Sequence, residues 1–123
     1  MRTNKMLGFL MKPLLQPDDP LSQVVFVHDY LQLFFQDCAF SIYNLATYTA
    51  GDITLTQGDA GFCDALVALI EQAARVEALP GKLSLHFDKG AVVSIPSTDE
   101  TIRGPEAWQF SRLGGPTVVE QNA

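Results

Sequence analysis

The sequence predicts an α+β fold, a curved and mostly antiparallel sheet made of two β-hairpin units with one long amphipathic helix packed on one face. Three patterns predict this fold. Apolar residues recur at helical spacing over residues 62–78, and apolar and polar residues alternate over residues 82–95. The hairpin at 82–95 also resembles an earlier one at 31–42, and the two hairpins flank the helix.

The domain organisation follows from length and from the prolines. Three prolines fall between positions 13 and 20, and proline interrupts both helices and central strands. Residues 1–20 are therefore predicted to be an N-terminal arm and a proline-rich linker. Residues 21–123 have the size of one α+β domain.

The first hairpin has apolar side chains on both predicted faces. Leu31, Leu33 and Phe35 alternate along one strand, and the helix is expected to cover them. If the strands keep their period of two, a second apolar set falls on the opposite face, where a second subunit is the expected cover and the arm at residues 1–12 the competing one. We therefore predict a homodimer whose interface includes Val24, Phe26 and Phe34.

The predicted helix over 62–78 is the clearest element. Asp59 is a suitable N-cap, and Pro80-Gly81 supplies a stop. One face of the helix carries an apolar stripe at helical spacing, formed by Phe62, Leu66, Leu69, Ile70, Ala73 and Val76.

The second hairpin alternates cleanly, with Leu83, Leu85 and Phe87 on one face and a turn at Lys89-Gly90. Its likeness to the first hairpin fits a structural repeat, but also the pattern that any half-buried hairpin requires. Further short strands are predicted at 53–56, 106–110 and 117–119.

Charge narrows the class of partner. The formal net charge is −6, from 8 basic and 14 acidic residues, so the chain should repel nucleic acids and anionic membranes while a basic protein is allowed. Only 18% of residues are charged, which favours apolar surface hidden against a partner. No apolar run is long enough to span a membrane.

The sequence gives little support for catalysis or for metal binding. Cys38 and Cys63 have no CxxC spacing and are interpreted as reduced, mostly buried residues in a cytoplasmic protein. A nucleophilic Cys63 would be opposed by the neighbouring acids Asp59 and Asp64. A metal site combining His28-Asp29 with His86-x-Asp88 lacks any recognised ligand spacing, so we predict no metal, no cofactor and no catalytic residue.

Trp108 is the one tryptophan of the chain. Tryptophan is favoured as an anchor at protein interfaces, and it is also a large core residue. Both interpretations stay open, with the core favoured.

Several short motifs resemble a group of small bacterial domains. They are Tyr30-Leu-Gln-Leu-Phe-Phe35, Leu83-x-Leu85-x-Phe87-Asp88 with Gly90, and Glu106-Ala-Trp108 leading to Gly114-Gly115 and Val118-Val119. Some of these domains act as immunity proteins that neutralise toxins of the same cell, and the resemblance brings no catalytic residues. We therefore predict a non-enzymatic protein-interaction module, of the immunity type if the resemblance holds. The alternative is a small ligand-binding protein or enzyme with Cys63 or His86 in a pocket between helix and sheet.

Overall fold

The chain folds into two antiparallel sheets. The computed structural model describes residues 14–97 and 104–122, and within these ranges each sheet has five strands. Sheet A, ordered β1-β2-β3-β9-β10, contains β1 (Gln23–Val27), β2 (Tyr30–Phe34), β3 (Cys38–Ile42), β9 (Glu106–Arg112) and β10 (Thr117–Gln121). Sheet B, ordered β5-β4-β8-β7-β6, contains β4 (Thr47–Ala50), β5 (Ile53–Thr56), β6 (Ala74–Leu79), β7 (Lys82–Phe87) and β8 (Val92–Pro96).

One apolar core lies between the sheets. Alternate residues of each central strand are buried, as a sheet with one face inward requires. The stacked rings of Phe35 and Phe87, with centroids 6.5 Å apart, bring the end of β2 against the end of β7. Both inner faces belong to the same continuous cluster of buried side chains.

The predicted α+β fold, with a single curved sheet and a long helix over 62–78, is wrong. The helix, α1, spans only Phe62–Val67 and contacts β1 and β4. The chain then turns, and Glu71 has a φ of +82°, which a continuing helix does not permit. Residues 74–79 form β6, so the molecule is mostly β.

The error has a local cause. The apolar spacing is helical from Phe62 to Leu69 and then changes to a period of two, with Ala74 and Val76 buried and Arg75 exposed between them. Backbone pairing with β7 over six residue pairs settles the structure of this segment. Pro80-Gly81, which we interpreted as a helix stop, is the two-residue turn between β6 and β7, and Gly81 has the positive φ of +80° expected at the second central position of a type II turn.

Residues 14–20, which precede β1, are hydrogen-bonded to both sheets. Gln16 bonds to Ala74 of sheet B, and the contacts with sheet A involve Asp37 and Arg112. Asp37 Oδ2 accepts hydrogen bonds from Arg112 Nη1 at 2.7 Å and from the backbone N–H of Asp18 at 3.0 Å. Arg112 Nη2 also donates to the carbonyl oxygen of Gln16 at 2.6 Å. Residues 14–20 of the predicted linker therefore pack on the body, while the predicted arm at residues 1–12 and the first linker residue, Pro13, lie outside the described residues.

Candidate functional site

The outer face of sheet A has an unusual composition for an acidic chain. Strand register places one set of side chains on this face. In the part of the chain that the structure describes, Glu106, opposite Gln121 at one end of the face, is the charged member of the set; the remaining members are uncharged and none is fully buried. We call the uncharged part of this surface the neutral face. Its residues are Gln23, Val25, Val27, Tyr30, Gln32, Phe34, Ala39, Ser41, Gln109, Ser111, Thr117 and Val119.

Polar groups on the neutral face bond mainly to one another. Gln32 Nε2 donates to Ser41 Oγ at 3.1 Å, and Gln109 Nε2 is 3.3 Å from Ser111 Oγ. Each amide still has hydrogen-bonding capacity for a partner. The surface therefore combines apolar contact area with fixed polar groups and carries no charge that would have to be desolvated.

A shallow pocket lies at one end of the neutral face. The rings of Tyr30 and Tyr43 stand 5.6 Å apart at an angle of 50° and form one wall. Asp29 and Glu106 add carboxylates, and His28 lies 3.4 Å from Asp29 with both of those side chains largely exposed. We call this the tyrosine pocket; it measures about 280 Å³ and is lined by Asp29, Tyr30, Tyr43, Gly104, Pro105 and Glu106.

The chemistry of the tyrosine pocket favours a cation. Aromatic faces attract ammonium and guanidinium groups, and carboxylates beside them add charge attraction. Sequence reasoning missed this pocket because Tyr43 and Glu106 are far apart along the chain. The sequence did contain one signal for the neutral face: Gln32 and Gln109 occupy outward strand positions that usually carry Lys or Glu.

The predicted interface residues do not form one surface. Val24 pairs with Leu33 and Phe26 with Leu31, so both lie on the core-facing side of sheet A. Phe34 lies on the neutral face. The alternation of side chains shifts by one residue at the turn between β1 and β2. Even-numbered residues therefore face the core in β1 and the neutral face in β2, which separates the three side chains.

Trp108 lies in the core. Its exposed fraction is 5%, it pairs with Ile42 across β3 and β9, and its ring centroid is 6.4 Å from that of Phe40. A partner therefore has little of this side chain to contact in the folded chain.

The two cysteines occupy different environments. Burial raises the pKa of the Cys38 thiol to about 12, and the charge of the adjacent Asp37 acts in the same direction. Cys63 is exposed on α1, contrary to the expectation that it is buried. No disulfide joins the two.

The histidines are not brought together with other ligands. His86 lies on the outer face of sheet B, where its Nε2 is 2.9 Å from Glu77 Oε1. The carboxylate of Asp88 instead accepts the backbone N–H of Ala73 at 3.1 Å. Over residues 14–97 and 104–122, no three His, Cys, Asp or Glu side chains are grouped as a metal site requires.

The outer face of sheet B provides a contrast with the neutral face. One cross-strand row carries hydroxyl groups, among which Ser84 and Ser94 lie 3.3 Å apart, and this row ends at Glu77. Arg75 and His86 stand in the next row. Sheet B thus has the charged outer surface expected of a solvated sheet, and sheet A does not.

Comparison with known proteins found no matching family model, no matching curated protein and no matching solved structure. Among the described residues, no helix has the length and apolar character needed to cross a membrane.

Proposed function

We propose that this protein is a non-enzymatic protein-binding module and that the neutral face is its contact surface. The lack of charge across that face supports this role most directly. The centres of protein interfaces are depleted of charged residues and enriched in aromatic ones, which is the composition found here around Tyr30 and Phe34. A solvated sheet face has no such need to exclude charge.

The chemistry of the partner follows from the tyrosine pocket and from net charge. A chain with a net charge of −6 attracts a basic partner. A lysine or arginine side chain of that partner would stack on Tyr43 and pair with Glu106, while its apolar surface covers Phe34. The geometry favours arginine, because a planar guanidinium can both stack on a ring and form two hydrogen bonds.

An immunity-type role is the finer form of this proposal. It comes from the resemblance of the strand motifs, and a basic toxin would suit the acidic chain. We also place the protein in the cytoplasm, because Cys38 and Cys63 are free thiols. A toxin gene beside the gene for this chain, and loss of toxin activity on mixing the two proteins, would support this role; a toxin that keeps full activity would contradict it.

The enzyme alternative has less support. It required a pocket between a long helix and the sheet, and that helix is replaced by β6. Cys63 stands on α1, whereas His86 points outward from sheet B next to Glu77. No described contact joins the two as nucleophile and base.

A capture experiment tests the contact surface. The complete chain is used as bait in a lysate of the organism that encodes it, beside Gln32→Lys on the neutral face and Thr49→Lys on the outer face of sheet B. Both substitutions place the same charge at an outward strand position. We expect Gln32→Lys to lose a partner that the unchanged chain and Thr49→Lys both retain. Equal capture by all three proteins would reject the neutral face as the contact surface.

The cation chemistry has a separate test with a defined probe. Nα-acetyl-arginine amide is titrated while the aromatic NMR signals of Tyr30 and Tyr43 are followed, with Nα-acetyl-citrulline amide, its uncharged isostere, as control. We expect saturable shifts with arginine alone, and binding weakened about fivefold in Tyr43→Ala, the change that corresponds to ~1 kcal/mol of cation–π attraction. Equal shifts with both amides, or none with either, would reject a cation site.

A further inference from the structure

The four outer edges of the two sheets are not equally protected. An edge strand presents unpaired N–H and C=O groups that invite another strand to pair with it, and proteins normally block such edges. In the described part of the chain, the edges are β1 and β10 in sheet A and β5 and β6 in sheet B. Three of these carry a recognisable block, and β1 does not.

The β6 edge is covered by a side chain. Gln16 Nε2 donates to the carbonyl oxygen of Ala74 at 2.6 Å, and Gln16 Oε1 accepts the backbone N–H of Val76 at 3.0 Å. The amide of one glutamine thus takes the place of a neighbouring strand. This edge is closed to further pairing at those two residues.

The β5 and β10 edges are protected in other ways. β5 has four residues, and at its end Asp59 accepts the N–H of Thr56 and donates its own N–H to the Thr56 carbonyl, both at 2.8 Å. β10 has an irregular register between Glu120 and Gln121, and Glu120 places a charge opposite Trp108 on the core-facing side. Short length, a bulge and an inward charge are all known protections of a sheet edge.

The β1 edge lacks these features. Its sequence is Gln-Val-Val-Phe-Val, with no charge and no proline, and its register with β2 is regular over all five residues. Phe26 is 42% exposed and Val27 is 39% exposed. An apolar and uncharged edge of this kind pairs readily with another strand.

We propose that two copies of this chain pair through β1, in antiparallel orientation about a twofold axis at Val25. Gln23 then faces Val27 of the second copy, and Val24 faces Phe26 of the second copy, so the exposed apolar side chains of both edges cover one another. The two five-stranded sheets A become one sheet of ten strands. This inference does not depend on the proposed partner surface.

The absence of charge in β1 permits two acidic chains to meet there. Two copies with a net charge of −6 repel at most surfaces, yet a contact centred on Val25 brings no charged side chain within β1 against another. Outside β1, Asp29 would lie across from Leu21 of the second copy, whose backbone is hydrogen-bonded to Glu71 and Gln72, so Asp29 and Glu71 are the acids that come nearest to one another. A second copy is therefore a suitable occupant of this edge.

Sedimentation equilibrium of the complete chain tests the proposal. We expect a mass rising with concentration towards twice 13.5 kDa, because a pairing of this kind follows mass action. Val25→Lys should keep the monomer mass at all concentrations, since two lysines would meet at the axis. Val119→Lys, in the same outward row on the β10 edge, should leave the dimer intact.

Further controls separate the edge from the neutral face. Gln32→Lys lies one strand inward from Val25 and should keep the dimer, although it removes the proposed partner contact. Hydrogen exchange at the β1 amides should slow as concentration rises and should not slow in Val25→Lys. A monomer at every concentration, a dimer that survives Val25→Lys, or one lost equally in Gln32→Lys would each overturn pairing through β1.

Discussion

At the scale of single residues, Asp37 is a charged group that bonds both to Arg112 and to the segment before β1. Burial alone opposes its ionisation, but the backbone N–H groups of Asp18 and of Asp37 itself, with the Arg112 guanidinium, outweigh that effect and hold the pKa of its carboxyl below the ordinary value of 3.8. The ionised form is therefore more favourable in the folded chain than in the unfolded one. Its contribution to stability is present above about pH 4 and declines as pH falls through the lowered pKa.

Asp37→Asn should lower the free energy of unfolding by about 1.5–3 kcal/mol at pH 7, the range for a hydrogen bond to a charged group, because the half-buried Arg112 would be left without its carboxylate. Urea unfolding at several pH values measures this loss. The difference from the unchanged chain should shrink as pH falls below about 4 and through the lowered pKa of Asp37. Asp18→Asn is the control, since Asp18 is 81% exposed at 3.6 Å from Arg112 and should cost no more than ~1 kcal/mol. A loss that is constant with pH would contradict this account.

The two thiols should differ in accessibility. Cys63 is exposed and should react with an aromatic disulfide reagent in the native protein, while Cys38 is buried and should react only after unfolding. Absorbance of the released thiolate counts the reacting groups. Cys63→Ser should abolish the native reaction, and native labelling that persists in that variant would show that Cys38 is accessible.

At the scale of elements, the two hydrogen bonds of Gln16 to the edge of β6 should contribute measurably to the free energy of unfolding. Gln16→Ala leaves the Val76 N–H and the Ala74 carbonyl without their partner and should destabilise the fold by about 1–3 kcal/mol. Urea unfolding gives this value. Gln23→Ala, on the open edge of β1, makes the same truncation without a described hydrogen bond and should change stability by less than ~0.5 kcal/mol. Similar losses in both variants would mean that the cover contributes nothing specific.

Elements were predictable where neighbouring residues alone determine them. The hairpin at 82–95 is present as β7 and β8, because clean alternation and Lys89-Gly90 fix both strands and turn locally. The prediction of helix over residues 74–79 was wrong, because this strand depends on pairing with β7, which is distant information for a local pattern. The helical spacing of the apolar residues before position 74 also hid the change to a period of two. The tyrosine pocket could not be predicted, because its two tyrosines meet only once β2 and β3 are paired.

At the scale of the whole molecule, the shared core predicts one cooperative transition. Leu33 in sheet A and Leu85 in sheet B are both fully buried in the same cluster. Replacing either with alanine should lower the stability of the whole chain by about 2–5 kcal/mol. Trp108 fluorescence reports on sheet A and far-ultraviolet circular dichroism on both sheets, so the two signals should coincide in each variant. Separate transitions in Leu85→Ala would show that the sheets unfold independently.

The position of Gln16 has a consequence for the chain during its synthesis. Gln16 leaves the ribosome 60 residues before Val76, the residue whose edge it covers, but its own carbonyl is held by Arg112, which lies 96 residues further along. The edge of β6 is therefore secured only after Arg112 has been synthesised. Chains that terminate before Arg112 should expose this edge and aggregate, whereas chains that include β9 should be protected from aggregation through this edge.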